Sequence, residues 1–363
     1  MIAMTGYTIL TIFLVAVFVI ILARGVNWWK YRITSKDGIE ESGYLEINGI
    51  KEFVQIRGEH VDNPVIIFIH GGPASPMSYA APYYQQGLEE DYTIINYDQR
   101  GCGRTYYATS QNSGDVATAD LLEEDLDGLV DYAREKFGQD KVILMGHSWG
   151  TILGTRYITE HPDKISAYVG ISQITSLYQD KIEVSRQALK IAEATDSEDA
   201  ARLKECIRKM EQVKEYSEFN LQDLMERVTL SAKYLKAEGE ISGLHQIWIG
   251  ISSPMMNLTD VKWFLKQSDT ENFFAMEKEV MDYAFFGFNI RDYGCEYQVP
   301  VYYIAGDSDY SVAQSRVEEF YQTVSAPDKE FVYMKNVGHS MFVDDPDGFC
   351  STVKSLLKSG GEK

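Results

Sequence analysis

The pentapeptide Gly146-His147-Ser148-Trp149-Gly150 sets one serine between two glycines, directly after the apolar run VILMG (142–146) and before a stretch of helical period (150–161). Strand, glycine-flanked serine and helix, in that order, are what a nucleophilic serine needs. The turn is tight enough that side chains at the flanking positions would collide with neighbouring chain. Glycine removes the clash and leaves the hydroxyl clear at the head of the helix. The helix N-terminus adds N–H groups and partial positive potential where an oxyanion would form. Without partners for the serine, the same residues are a plain strand-to-helix junction.

A serine hydroxyl is nearly inert at neutral pH and needs an adjacent base. Behind a nucleophile of this kind the acid and the histidine follow in that chain order. Six histidines allow elimination. His60, His70 and His147 precede Ser148, His161 closes the helix that Ser148 opens, and His245 falls in a helical stretch before any strand-end acid. His339, in the polar loop NVGHSMF, remains as the base. The acid belongs after the strand VYYIAG (301–306), where Asp307 and Asp309 compete. The Gly-x-x-Asp form favours Asp309 and leaves Asp307 as a turn former or surface charge. Two N–H donors would complete the site: Trp149, next after the nucleophile, and Gly72 in HGGPASP (70–76), with Ala74 behind it because Pro73 has no N–H. His70 is expected to brace that loop.

The surrounding pattern can position these residues. GYLEINGIKEFVQIRG (43–58) alternates about Asn48-Gly49 and predicts a β-hairpin. Short apolar runs follow at 65–69, 93–97, 142–146, 166–171, 301–306 and 330–334, separated by helical stretches at 118–137, 150–161, 313–324 and 346–358. Strands alternating with helices imply an α/β fold, a mostly parallel sheet flanked by helices. Residues 173–290 break the alternation and read as a helical cap inserted between core segments 43–172 and 291–363.

HGGPASP, NYDQRGCGRT and GHSWGT, in this order and spacing, with AGDSDY and VGHSMF downstream, resemble the prolyl iminopeptidase family of α/β-hydrolases. The resemblance covers about 43–172 and 290–358. It implies an α/β-hydrolase fold, a Ser148-His339-Asp309 triad beneath a helical cap, and an aminopeptidase acting on small N-terminal residues. In the family, cap acids hold the substrate amine. The nearest stretch here is VMDYAFFGF (280–288), which puts Asp282 or Glu279 in that role. Ala74 replaces a family glycine and His147 a glutamine. An esterase or lipase-like hydrolase of small acyl esters is the alternative, and a non-catalytic binding protein on the same fold a more distant one. Asp98 and Arg100 of DQRGCGR are expected to pair within their loop, and Cys102 to be packed.

The formal net charge of −20 disfavours nucleic acid and a broad anionic lipid surface. The four cysteines have no metal-type spacing, so free thiols, no metal and no cofactor are expected. From Ile2 to Ala23 the chain is uncharged and almost wholly apolar, about the ~20 residues that cross a bilayer core. No basic n-region precedes the run and no small-x-small cleavage site follows it, so a retained single-pass anchor (1–24) is expected, then a linker (25–42). Trp28 and Trp29 suit the interfacial belt, while Arg24, Lys30 and Arg32 place the catalytic domain on the cytoplasmic side of the cell membrane.

Overall fold

The computed structural model describes residues 2–109, 116–195, 197–235 and 239–359. Met1 and residues 360–363, the two ends of the expected anchor and second core segment, lie outside them. The chain folds around an eight-stranded sheet of order β1-β2-β4-β3-β5-β6-β7-β8. β1 (Ile39–Ile47) and β2 (Ile50–Gly58) form the hairpin, with Asn48 and Gly49 at φ 46° and 77°. Those angles belong to a turn matching the twist of its strands. β2 joins β4 (Thr93–Asp98) antiparallel; β3 (Val65–Ile69), β5 (Val142–His147), β6 (Ile165–Ile171), β7 (Val301–Gly306) and β8 (Lys329–Met334) then pair in parallel.

The inner parallel strands are mostly apolar because both faces are covered. Ile67, Leu144 and Tyr168 pack on one side against α2 (Ala119–Phe137) and α3 (Trp149–Glu160), and Phe68, Met145 and Val169 on the other side in the layer containing α12 (Pro346–Ser359). α11 (Gln314–Tyr321) bridges β7 and β8. Thr118 caps α2 by accepting from the Leu121 N–H, and Gly138 at φ 60° ends it. The expected α/β-hydrolase architecture is present.

Between β6 and β7 the chain is helical, as its composition suggests. α4 (Leu177–Thr195), α5 (Ser197–Met210), α6 (Leu221–Tyr234), α7 (Gly243–Ser252), α8 (Leu258–Ser268), α9 (Thr270–Met276) and α10 (Lys278–Asp282) lie over the sheet's C-terminal end. α4, α5 and α6 share their own apolar centre, with Val184, Ala188, Leu203 and Leu230 at helical spacing.

The N-terminus departs from expectation at its boundary. α1 (Ile2–Tyr31) does not stop at Arg24 but continues seven residues further, and β1 starts at Ile39, so the extended linker is shorter than 25–42. The extension is held from the side: Arg24 donates to the carbonyls of Met256 (2.7 Å) and Pro254 (3.2 Å), and Asn27 to that of Ser252 (3.0 Å). Arg57, buried in β2 and paired with Glu89 at 2.7 Å, donates to the Tyr31 carbonyl at the helix end. From Tyr7 to Tyr31 the helix has mean hydropathy 2.8 over its most apolar window, and that window is unburied by the rest of the chain.

Candidate active site

Ser148 sits between β5 and α3 at φ 51° and ψ −119°, a backbone conformation costing of order 1–3 kcal/mol in a residue with a side chain. The glycines permit it. A Cβ at Gly146 would stand 2.7 Å from the Gly150 carbonyl oxygen, and one at Gly150 would run into the Ile69 carbonyl of β3. The crossing is therefore possible only with glycine at both positions.

Asp309 follows β7 and is 5 % exposed, whereas Asp307 lies on the surface. The Asp309 carboxylate accepts from the N–H groups of Ser311 (2.8 Å) and Val312 (3.2 Å), the side-chain amide of Gln314 (2.7 Å), and His339 Nδ1 (3.0 Å to either oxygen). Burial alone would raise its pKa; the His339 imidazole and these hydrogen bonds overcome that and hold it at about 2. With Nδ1 bound to a carboxylate, the His339 proton is fixed there and Nε2 is left as the acceptor.

Ser148 and His339 line one cavity of about 460 Å³, with Gly71 and Gly72 at its edge. No hydrogen bond joins the serine hydroxyl to the ring among the described residues; such contacts commonly tighten only with substrate present. The loop after β3 comes close enough that a Cβ on Gly71 would stand 3.2 Å from Ser148 Cβ. Gly72 has φ 121°, and Trp149 opens α3, where first-turn N–H groups have no intrahelical acceptor. The Trp149 ring is buried, its Nε1 donating to Gln99 at 3.2 Å.

His70 does brace its loop: it is 1 % exposed, with Nδ1 on the Gly71 carbonyl (2.9 Å) and Nε2 accepting from the Gln99 N–H (3.3 Å). Burial lowers its pKa to about 4, so it is neutral. Cys102 is fully buried, and burial pushes its thiol well above the usual range. Asp98 and Arg100, however, do not pair. Arg100 reaches Asp125 of α2 at 2.7 Å, while Asp98 accepts from Ser78 Oγ and the Arg104 N–H, each at 2.7 Å. Asp98 is the last residue of β4 and Arg100 lies in the turn beyond it, so strand geometry no longer relates the two side chains and each meets a partner on a different element.

The cap acids also differ from expectation. Asp282 is spent on the backbone, accepting from the Tyr216 N–H at 2.7 Å, and Glu279 is exposed. Neither is among the residues lining the cavity. Of the buried cap carboxylates, Asp180, Asp199 and Asp260 pair with basic side chains; Glu277, 6 % exposed and raised by burial to about 7, has no cationic partner among the described residues and stands just behind the cavity lining. Its charge reaches Tyr216, which lines the cavity. Only packing distinguishes Glu277 from two other acids within five residues. His147 is a second residue that sequence reasoning passed over: its Nε2 meets the His339 carbonyl at 3.0 Å, and Ser172 Oγ meets the same carbonyl at 3.1 Å. Burial lowers the His147 pKa to about 3, so the ring acts as a neutral brace on the His339 loop.

The strand order, the glycine-flanked serine turn and the inserted cap make this an α/β-hydrolase in fold, and residues 64–204 match the family described as alpha/beta hydrolase fold. Among its relatives, the probable aminopeptidase YbaC of Bacillus subtilis (strain 168) is 26 % identical over 321 residues, 88 % of this chain and 97 % of that one. The proline iminopeptidase of Neisseria gonorrhoeae is 32 % identical over 130 residues, 35 % of this chain and 38 % of the relative. In fold, the crystal structure of proline iminopeptidase from Mycobacterium smegmatis superposes with TM-score 0.62 at 16 % identity, covering 89 % of this chain and 98 % of that one. A membrane phospholipase A superposes at 0.54 and 14 % identity over 100 % of this chain and 97 % of its own.

Proposed function

We propose that the chain is a membrane-anchored serine hydrolase in which Ser148 is the nucleophile, His339 the base and Asp309 the acid. The observation that carries this is one cavity receiving both a serine on a strained glycine-flanked turn and a histidine whose far nitrogen is bound to a buried carboxylate. Ser148 Oγ attacks the acyl carbon as His339 Nε2 takes its proton, and Asp309 stabilises the imidazolium. The N–H groups of Gly72 and Trp149 receive the oxyanion. His339 then protonates the leaving group, and the same base activates the water that releases the acyl group.

The first substrate reading is an aminopeptidase removing small N-terminal residues, supported by the relatives' names and by Glu277, a buried carboxylate suited to a substrate ammonium. Ester hydrolysis is the second reading, favoured by a specific observation: the lining includes Leu221, Leu224, Met225 and Val228 of α6, and no carboxylate among the described residues. Proline-, alanine- and leucine-nitroanilides against short-chain nitrophenyl esters separate them; ester turnover without amide turnover removes the peptidase reading. A fluorophosphonate probe should label the protein and fail on Ser148→Ala, and a folded wild-type chain that resists labelling would refute the enzyme assignment altogether.

The membrane part of the proposal rests on α1, whose apolar length suffices to cross a bilayer. The three cations after the apolar run would keep the domain on the cytoplasmic side. Carbonate extraction should leave the full chain in the membrane fraction; release into the supernatant contradicts a spanning helix.

A further inference from the structure

We infer that the cavity contains a subsite for an anionic group of the substrate, a carboxylate foremost, formed by Arg227 and Lys181; this rests on the hydrolase reading above and names part of its substrate. Both residues line the cavity that holds Ser148. Arg227 is 6 % exposed, and among the described residues its one side-chain hydrogen bond is a long one, Nη1 to Ser185 Oγ at 3.4 Å; Nε is buried without an acceptor. No carboxylate pairs with it among the described residues. Lys181 donates to the Ser311 carbonyl at 2.7 Å, on the loop whose N–H groups hold Asp309. Its neighbour Asp180 is taken by Arg316 at 3.1 Å. The two cations sense each other: burial and then Arg227 lower the Lys181 pKa to about 8. Burying a guanidinium without an acceptor is costly, and elsewhere this fold pairs its buried arginines 57, 100, 104 and 156 with acids. At Arg227 no acid acceptor is present among the described residues, and the side chain lines the cavity, where a ligand can reach it. A substrate carboxylate would complete the set, and a guanidinium can take it through two parallel bonds.

The test measures binding, so it does not depend on turnover. Full-chain Ser148→Ala is titrated calorimetrically with alanyl-leucine against its C-terminal amide, and with monomethyl succinate against dimethyl succinate. A charge-assisted contact should favour the carboxylate form about tenfold or more in at least one pair. Adding Arg227→Gln should bring that ratio close to one, and Lys181→Met should reduce it. The responding pair distinguishes a peptide C-terminus from an acyl-chain carboxylate. Equal affinities within each pair, or a preference that survives Arg227→Gln, overturn the subsite. Failure of fluorophosphonate labelling would instead remove the hydrolase reading and leave the binding result standing.

A different observation carries a second inference. We propose that the outer face of α7 and α8 lies in the lipid surface beside α1, so that the end of the sheet bearing Ser148 is turned towards the bilayer; this rests on α1 spanning the membrane. Leu244 (81 % exposed), Ile247 and Trp248 share one side of α7; Leu258 (79 %), Val261 and Leu265 (67 %) recur at helical spacing on α8. Asp260 is the only carboxylate between Ile241 and Ser268, and it is buried against Arg104 at 2.7 Å, in a chain with 54 acids in 363 residues. Lys262 is exposed on the same face. A lipid surface is the occupant because this face adjoins α1 at the level where its apolar run ends: the α7–α8 connection grips Arg24, and Trp28 and Trp29 stand exposed beyond it. The inner face of α8 reaches the site, Trp263 and Gln267 both donating to the Ala74 carbonyl, at 3.2 and 3.0 Å, in the loop that carries Gly72.

The full chain, reconstituted in phosphatidylcholine vesicles with Cys295→Ser, carries a fluorophore on one added cysteine. Brominated lipid should quench it at Leu258→Cys and Leu265→Cys as at Val15→Cys inside α1, but not at Asp140→Cys beside the opposite end of the sheet. Quenching at Val15 alone overturns the lipid face and leaves the spanning helix intact; no quenching at Val15 removes both. Emission at Leu265 that is shielded from aqueous iodide yet unaffected by brominated lipid, with a dimer mass lost on Leu265→Glu, assigns the face to a second copy and likewise overturns it.

Discussion

Replacing Asp309 with asparagine preserves its size but removes the negative charge and one acceptor oxygen and adds an NH₂ donor. The wild-type carboxylate receives two backbone N–H groups, the Gln314 amide and His339 Nδ1. Asparagine has one acceptor oxygen for those donors, and its NH₂ will face either the turn or the ring. Facing the ring, it donates to Nδ1, which moves the His339 proton to Nε2 and leaves nothing to accept from Ser148. On that reasoning kcat falls by about 10³–10⁴, while KM changes little because Asp309 is not among the cavity-lining residues. Stability changes too. Held at about 2 against ~3.9 for a free aspartate, the wild-type carboxylate contributes about 2–3 kcal/mol at neutral pH. The folded pKa is depressed, so this stability is present above pH ~4 and lost as pH falls towards 2. Urea melts at pH 7 and pH 3, with steady-state rates on the best nitroanilide or ester, read both effects. A folded Asp309→Asn that keeps activity within about tenfold of wild type would refute the orienting role.

Gly150→Ala should cost about 2–4 kcal/mol by forcing a methyl into the Ile69 carbonyl; a thermal melt indistinguishable from wild type would show that the β3–α3 approach is looser than described. Glu277→Gln should abolish any acid limb near pH 7 in kcat/KM for substrates with a free amine while leaving ester profiles in place; identical profiles would mean that Glu277 holds no ammonium. The same variant tests stability: a carboxyl raised to about 7 by burial makes the wild type lose stability as pH rises from ~4.5 through 7, and urea melts at pH 5 and 8 should show the glutamine variant resisting that loss. His147→Ala should lower kcat more than it raises KM, since the ring braces the His339 carbonyl; a pure KM effect would place His147 on the substrate instead.

Much of the architecture was legible because parallel strands buried on both faces must be short apolar runs. VIIFI, TIINY and VYYIAG coincide with β3, β4 and β7 within a residue. The hairpin was legible because Asn48-Gly49 accepts positive φ. Less legible was where α1 ends, since Gly25 offers a helix stop that the helix runs through, and the contacts that hold this stretch come from the end of α7 and the α7–α8 connection more than 200 residues later. The pairing of Arg100 was hidden for a similar reason: a charged residue leaving a strand selects a partner by direction, and Asp125 lies on a separate helix.

Residue type and order by themselves determined that one serine occupies a glycine-flanked turn between strand and helix, and that His339 is the remaining histidine downstream of a strand-end acid. Those are local or ordinal properties, governed by backbone sterics and chain direction. Burial is neither. The Gly-x-x-Asp spacing already favoured Asp309, but only the folded packing decided that Glu277 rather than Glu279 or Asp282 is desolvated, and that Arg227 stands in the cavity with no counterion among the described residues. Each choice is among similar side chains a few residues apart, and what separates them is which one neighbours from distant parts of the chain remove from water.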